Sequence, residues 1–310
     1  MRGNYMKKFI LAALVASAFG VNAQAQDTLQ IYGKVRAFGE NVKVEGAKAD
    51  NMLTNDRSRI GIKGTESLGN GLVASFVLET GVEWDSPQGT KLGDRAALVG
   101  LANSFGGVQV GREKHSVSWT VDKFNPFGDS VFGSARSIHA IQGSRVENAV
   151  FLHAAPVKGV KLNVQHVLDE VGGKSATAGG VDFTYRGLAL TVSKFDDKVN
   201  NESTVVGARY DFVPQGTSVF AMHSKDKVAG VDSKGMSVGF AQKLSPVLTA
   251  QALYGEKENA AGETVVKATN LGLTYAFSKR TGVHARYIKE DSATAGLDAT
   301  RIAVGLEHNF

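Results

Sequence analysis

Hydrophobic and polar residues alternate with a period of two along almost the whole chain from Thr28 onward. In the segment TLQIYGKVRAF, Leu29 and Ile31 fall on one face, while Lys34 and Arg36 fall on the other. Strict alternation is typical of a β-strand that has one apolar and one polar face. The pattern therefore predicts an all-β chain, with no sustained helical spacing beyond its first residues.

About sixteen such segments occur, each close to the ~10 residues that a tilted membrane strand requires. Their approximate centres are Val35, Gly61, Phe76, Leu98, Gln109, Ala149, Asn163, Phe183, Leu190, Gly207, Phe220, Gly239, Ala252, Gly272, Ala285 and Val304. Short turns such as ESLGNG and SKRTG alternate with long polar connections, predicted at residues 41–55, 115–143, 168–179 and 256–266. This alternation favours an antiparallel up-and-down sheet with both termini at the short-turn end.

A β-sandwich is the alternative architecture for many alternating strands, but it turns its apolar faces inward. A barrel in lipid must be closed, because an open sheet would leave unpaired backbone groups in hydrocarbon. Three aromatic pairs precede short turns, where a belt at the membrane interface would lie: Phe183 with Tyr185, Tyr210 with Phe212, and Tyr275 with Phe277. We therefore predict a transmembrane antiparallel β-barrel over residues 26–310, with apolar side chains toward lipid and polar ones toward water.

The alternation continues to the last residue of the chain, in the segment RIAVGLEHNF. Ile302, Val304 and Leu306 share one parity with Phe310, whereas a chain end usually frays into polar residues. We expect this strand to pair with the first strand and close the barrel. Phe310 would then lie at the periplasmic interface on the lipid side.

Residues 1–25 have the features of a secretory signal peptide. Basic residues precede an apolar run at 9–19, and the small-residue sequence AQA follows. The run is too short to span a bilayer, which needs about 20 residues. Removing this segment lowers the formal net charge from +5 to +2, which gives no support for a nucleic-acid partner. The absence of cysteine excludes disulfides and thiolate metal sites.

Several segments resemble the general porins of β-proteobacterial outer membranes. The most specific are SRIGIKGTESLGNGLVASFVLE and YAFSKRT, and the resemblance extends from the first strand to the terminal phenylalanine. It implies a homotrimer of sixteen-stranded barrels whose third long loop folds into each pore. It also implies that the barrel-assembly machinery reads the strand ending in Phe310. The partners expected in the outer membrane are lipid, lipopolysaccharide, small anions and hydrophilic solutes, with no cofactor.

If apolar residues face lipid, the opposite parity faces the lumen. The basic residues predicted there are Lys34, Arg36, Arg59, Lys63, Arg95, Arg145, Lys161, Arg209, Arg286 and Arg301. The acidic residues of the same face are fewer: Glu79, Glu147, Asp182, Asp211 and Glu307. A ring of permanently charged guanidinium groups favours anions in a narrow wet pore. We expect an anion-preferring pore; the alternative is that these charges pair with carboxylates and leave a weakly selective one.

The connection at 115–143 contains SWTVDKFNPFGDSVFG, which mixes aromatic and acidic residues. An exposed loop does not need so many aromatics, so we expect Trp119, Phe124, Phe127 and Phe132 to be buried against the inner wall. The expected constriction residues are Asp122, Phe127, Asp129 and Arg136, with the acids opposite the strand arginines. Alternatively, the aromatics pack on a neighbouring subunit or on other loops. Phe151 is predicted to face inward at a position where relatives commonly carry a charge, so it would narrow the pore or remove one basic site. Alternatively, Arg145 supplies that charge.

Catalytic motifs are weak in this sequence. GGKS at 172–175 lacks the first glycine of a phosphate-binding loop, since Leu168 occupies that position, and the histidines form no HExxH pattern. The chain is predicted to be a porin and not an enzyme. The rival classes are an outer-membrane lipase or protease barrel and an adhesive or structural barrel, and ion conductance across a planar bilayer separates them.

Overall fold

A computed structural model describes residues 27–86, 91–139, 145–168, 175–294 and 296–310. The predicted signal segment lies outside these ranges and stays a prediction. Within them the chain forms seventeen β-strands, one α-helix and one 3-10 helix. The strands are β1 (Thr28–Val44), β2 (Asp50–Asn55), β3 (Arg59–Gly69), β4 (Leu72–Gly81), β5 (Ala96–Asn103), β6 (Gly106–Lys114), β7 (Arg145–Val157), β8 (Val160–Val167), β9 (Thr177–Tyr185), β10 (Leu188–Asp196), β11 (Glu202–Phe212), β12 (Thr217–Val228), β13 (Val231–Lys243), β14 (Leu248–Asn259), β15 (Thr264–Ala276), β16 (Thr281–Ser292) and β17 (Ala299–Asn309).

The helix α1 (Ser116–Lys123) and the 3-10 helix (Ala135–Ser137) both follow β6. The all-β prediction is confirmed, and these two short helices are additions to it that the sequence pattern does not reveal. An eight-residue helix is too short to show a sustained helical period in the sequence. Among the described residues, no helix has the length and apolarity needed to cross a membrane.

The sheet closes on itself between its first and last strands. Strand β1 pairs antiparallel with β17 on one side and with both β2 and β3 on the other. Strands β2 and β3 are two parts of one barrel strand, interrupted at residues 56–58, where Arg57 has a left-handed φ of 58°. The described chain is thus a closed, antiparallel sixteen-stranded barrel. This confirms the predicted architecture, and all sixteen predicted centres lie within strands.

Phe310 continues the closing ladder past the end of β17. The Gly33 N–H donates to the Phe310 carbonyl at 3.0 Å, and the Phe310 N–H donates to the Gly33 carbonyl at 3.1 Å. The ring of Phe310 lies over Gly33, where no side chain intervenes, and remains partly exposed on the outer surface. Its position therefore agrees with the expected location, while its role in assembly stays a prediction.

The outer wall carries the apolar parity of the strands. Leu29 and Ile31 are 73% and 62% exposed, and Val304 at the other side of the closure is 62% exposed. All six residues of the three predicted aromatic pairs are exposed on this surface beside short turns. In water, a continuous apolar surface of this extent would drive association, so its natural environment is lipid.

Two of the predicted long connections are mostly strand. In 41–55, β1 runs to Val44 and β2 begins at Asp50; in 256–266, β14 runs to Asn259 and β15 begins at Thr264. The loop interpretation was wrong because these strand ends rise above the apolar outer surface. Strict alternation is lost there, because Asn41 and Lys43 face outward while Val42 is buried inward, and Met52 and Leu53 are exposed side by side, although backbone pairing continues.

Candidate functional site: the lumen and its inner loop

The segment that follows β6 lies against the inner wall of the barrel. His115 caps α1, accepting a hydrogen bond on Nδ1 from the Ser118 N–H at 3.3 Å. The Ser116 N–H donates to Gln165 Oε1 of β8 at 3.1 Å, and the Thr120 and Ser193 hydroxyls are 2.8 Å apart. Because these partners are inward residues of β8 and β10, the helix is fastened inside the lumen.

We call the segment at residues 115–139 the inner loop. The part of it that follows α1 packs directly against inward-facing glycines of the barrel wall. Phe124 lies against Gly207 of β11. A Cβ atom at Gly239 of β13 would lie 2.9 Å from Pro126 Cδ, and one at Gly272 of β15 would lie 2.6 Å from Phe127 Cε1. Real Cβ atoms do not approach other atoms this closely, so only glycine leaves room for the loop at these positions.

Three of the four loop aromatics are buried as expected. Phe124, Phe127 and Phe132 are at most 5% exposed, and Phe132 stacks on Phe38 of β1 with ring centroids 4.2 Å apart. Trp119 is different: it is 50% exposed and lines the open part of the lumen. The expectation of burial was wrong for Trp119, because the wall-facing side of α1 presents other residues, such as Val117, to the barrel.

His139 fastens the far end of the described loop to the glycine-rich wall. Its Nδ1 is 2.9 Å from the Ser224 hydroxyl of β12, and its Nε2 is 2.8 Å from the Ser237 hydroxyl of β13. Burial, with a smaller effect of His223, lowers the pKa of His139 to about 3. The imidazole is therefore neutral at physiological pH and binds the two serines through uncharged hydrogen bonds.

Asp129 joins the inner loop to the basic residues of β1 and β3. Its carboxylate is 2.6 Å from Arg59 Nη1, 3.2 Å from Arg36 Nη2 and 3.6 Å from Lys34 Nζ. Burial alone would raise the pKa of Asp129, but the charges of Lys34, Arg59 and Arg36 outweigh it and hold that pKa well below its ordinary value. The acid does not face these cations across open water; it neutralises them directly.

The remaining charges of this cluster are also paired. Arg36 is 2.8 Å from Asp56 and 2.9 Å from Glu307, which in turn is 3.4 Å from Lys34. On the helix, Asp122 is 2.6 Å from Lys114 Nζ and 2.8 Å from Arg136 Nη2. The three charged residues of the expected constriction thus all form ion pairs, whereas Phe127 packs against Gly272 and Arg286.

An open cavity of about 1020 Å³ remains between α1 and the wall made by β3 to β10. The cations lining it are Arg59, Arg95, Lys114, Lys123, Arg145 and Lys161, and the carboxylates are Glu79, Glu113, Asp122, Asp129 and Asp182. Arg95 is 2.7 Å from Glu79, and Lys123 pairs with Asp182. Within the described ranges Lys161 has no carboxylate within 4 Å, so positive charge is in slight excess. Phe151 lines this cavity as a buried inward residue, as its parity predicts.

The other predicted pore residues lie outside this cavity. The Lys63 ammonium is 5.1 Å from the ring centroid of Tyr32 on the inner face, and Arg209 pairs with Asp211 at 2.9 Å. Arg286 is covered by the loop: its guanidinium is 5.0 Å from the Phe127 ring, and it donates to the Leu273 carbonyl. Arg301 pairs with Glu40 at 3.4 Å. Parity placed these side chains inward but could not show which of them the loop covers.

Sequence reasoning missed Arg57. It occupies the break between β2 and β3, and the charges that act on it include those of Arg136, Asp122 and Asp129. Nowhere in the described chain does a carboxylate lie within 4 Å of it. Because the break interrupts the alternation, parity assigns Arg57 to neither face, and no sequence signal marks it.

Comparison with known proteins places this geometry among membrane channels. Residues 11–309 match a family described as Gram-negative porin. An outer membrane porin protein of Bordetella pertussis is 27% identical over 98% of this chain and all of the relative, and outer membrane porin protein 32 of Delftia acidovorans is 25% identical over the same shares. An anion-selective porin from Comamonas acidovorans has a TM-score of 0.79 at 21% identity, covering 92% of this chain and 100% of its own.

Proposed function

We propose that this chain, which belongs to the Gram-negative porin family, conducts small anions in preference to cations. The protein is an outer-membrane porin, whose water-filled barrel lets ions and small hydrophilic solutes diffuse passively across the membrane. The anion preference rests on one observation, the small excess of cations over carboxylates around the open cavity. In a narrow pore with low-dielectric walls, even a small net charge favours counter-ions.

The preference is expected to be modest, because most of the arginines are already neutralised. Arg36 and Arg59 each contact two or more carboxylates, so they contribute little net potential to a passing ion. In the described ranges Lys161 lines the cavity with no carboxylate within 4 Å and supplies the uncompensated charge there. Arg57 lies outside the cavity lining, also without a carboxylate within 4 Å, and adds positive charge near the loop. The Comamonas acidovorans relative described as anion-selective supports the sign of the preference.

A homotrimer is part of the proposal. An outer membrane protein of Vibrio cholerae with a TM-score of 0.71 is described in a trimer form. We also propose that lipid and lipopolysaccharide surround the apolar wall and that the barrel-assembly machinery recognises the strand ending in Phe310.

The test is the zero-current potential of the reconstituted trimer under a salt gradient. The wild-type potential should have the sign of an anion-preferring pore, and the double variant Lys161→Gln/Arg57→Gln should move it toward zero. Lys267→Gln is the matched control, because Lys267 is 51% exposed on the outer wall and lies 3.6 Å from Glu256. A cation-selective wild type, or a double variant with an unchanged potential, contradicts the proposal.

The rival functions give different results in the same preparation. A porin carries a large ohmic current and needs no cofactor or chemical step. Lipid or peptide cleavage without conductance would instead identify a barrel enzyme, and the absence of both activities would favour an adhesive or structural barrel.

A further inference from the structure

Trp119 is the aromatic residue of the inner loop whose position the packing of the loop does not account for. It is 50% exposed and lines the open cavity, whereas Phe124 and Phe127 of the same loop are buried. Lys114, which lies 2.6 Å from Asp122, holds its ammonium 4.7 Å from the centroid of the indole ring. A cation therefore covers part of the ring, and the rest of its apolar surface faces the water of the lumen.

Lys123 and Lys161 supply positive charge close to this ring, and both line the same cavity. Trp119 and Lys123 are four residues apart on α1, so they lie on one helix face, about 6 Å apart along its axis. Lys123 pairs with Asp182 and donates to the Thr191 hydroxyl at 2.9 Å. Asp182 is the register neighbour of Lys161, which has no carboxylate within 4 Å in the described ranges. Two ammonium groups and one carboxylate thus give this part of the cavity a net positive charge.

The neutral hydrogen-bonding side chains of this wall already have partners. Those of β8 to β10 that line the cavity are Asn163, Gln165, Thr184, Thr191 and Ser193. Asn163 and Gln165 both bond Ser116 of α1. Ser193 bonds Thr120, Thr191 donates to Asp182, and Thr184 donates to the Gly159 carbonyl. A sugar needs many free donors and acceptors and finds few here, whereas a flat ring needs only an exposed aromatic surface.

We propose that Trp119 makes the pore select aromatic over saturated anions of the same charge, with aromatic carboxylates as the preferred solute class. The ring of such an acid stacks on the exposed indole, and its carboxylate lies between the ammonium groups of Lys123 and Lys161. Small-molecule sites commonly combine an aromatic surface with a few placed charges in this way. The inference rests on the proposed anion-preferring channel, because the acid has to enter the lumen.

The experiment measures how two acids of equal charge and similar size block the potassium chloride current of the reconstituted channel. Benzoate carries an aromatic ring, and cyclohexanecarboxylate carries a saturated one. In wild type we expect benzoate to reach half-block at a concentration about fivefold lower than cyclohexanecarboxylate, since stacked aromatic rings attract each other beyond their buried area. Trp119→Ala should remove this difference, and Trp119→Phe should retain most of it.

Two further variants separate the ring from the charge. Lys161→Gln should weaken the block by both acids about tenfold, because a hydrogen bond to a charged group is lost. The same variant should leave the block by the neutral aromatic benzamide as in wild type. Trp84→Ala is the matched control for Trp119→Ala and should behave like wild type, since Trp84 is the other tryptophan of the chain and lies outside the cavity lining.

Tryptophan fluorescence tests the contact directly. Trp84→Phe leaves Trp119 as the single tryptophan of the chain. The emission of this variant should change saturably with benzoate, with the same half-point as the block, and cyclohexanecarboxylate should require about fivefold higher concentrations. Emission that benzoate does not change would contradict stacking on Trp119.

Equal block by benzoate and cyclohexanecarboxylate in wild type would overturn the proposal, and so would a Trp119→Ala channel that still distinguishes them. Loss of the difference in Trp84→Ala would show that the discrimination does not arise in the cavity. Because the two acids carry the same charge, the ratio of their half-block concentrations does not depend on the ion preference. A cation-selective zero-current potential in potassium chloride alone would therefore overturn the proposed anion preference separately.

Discussion

The two halves of the inner wall differ in the size and charge of their inward residues, although their outer faces are alike. From β11 to β15 the inward positions include Gly207, Gly239 and Gly272, and the inner loop covers them. From β3 to β8 they include Arg59 and Lys161, and the wall faces open water. The comparison indicates that outward residues determine the barrel, whereas the size of inward residues determines where the loop lies and where ions can pass.

The largest effect is expected where the loop meets the charged half. Asp129→Asn removes the carboxylate shared by Arg36, Arg59 and Lys34, and leaves nearly buried cations less compensated. Breaking such a pair costs about 3 kcal/mol of unfolding free energy. The anion preference should increase, because positive charge is released beside the pore. Denaturant unfolding measures the loss of stability, and the zero-current potential measures the anion preference. A shift of that potential toward cations would contradict the predicted release of positive charge.

A side chain in the glycine-lined half should displace the loop. Gly272→Leu places a Cβ within 2.6 Å of Phe127 Cε1, and overpacking of this kind costs about 2 kcal/mol. The single-channel conductance should fall, because the loop is pushed off this wall toward the open lumen. Gly39→Leu is the matched control, since a Cβ there meets nothing within 4 Å. Equal conductance of Gly272→Leu and wild type would show that the glycines do not seat the loop.

Acid should weaken the two attachments of the loop differently. The folded-state pKa of His139 is lowered, so its contribution to attachment is present above pH 6.5 and declines as the pH falls toward 3. At pH 5 the free energy that the neutral His139 contributes to attachment is smaller by about 2 kcal/mol, because each pH unit below 6.5 removes about 1.4 kcal/mol. The pKa of Asp129 is also depressed, so that contribution is full above pH 3.8 and is lost only in stronger acid.

Current noise between pH 7 and pH 5 measures this difference. It should increase in wild type and not in His139→Gln, whose amide can still bond the serines but does not titrate. Wild-type noise that is independent of pH over this range would contradict a role for His139 in attachment.

The smallest effect is expected at the lumen-facing aromatic. Trp119 is half exposed, so Trp119→Ala should change the unfolding free energy by no more than about 0.5 kcal/mol. The wider cavity should raise the conductance slightly without moving the zero-current potential. A large loss of stability would show that Trp119 packs against the wall.

The sequence predicts the barrel well because contact with lipid imposes strict alternation on every strand. The same parity places Arg95, Lys161 and Arg286 inside the barrel correctly. It does not predict pairing, because Arg36 and Glu307 are 271 positions apart and meet only through closure. Arg57 was missed because a strand break removes the parity, and the rim strands were missed because their outward residues are no longer regularly apolar, as at Asn41 and Lys43.

The central claim is that the apolar parity faces lipid and the polar parity faces a conducting lumen. The chain has no cysteine, so single cysteines at two adjacent positions of β3 test it directly. With a charged, water-soluble thiol reagent on the reconstituted channel, we predict a stepwise fall in current for Lys63→Cys and no change for Ile62→Cys. Current reduction in Ile62→Cys but not in Lys63→Cys would contradict the account.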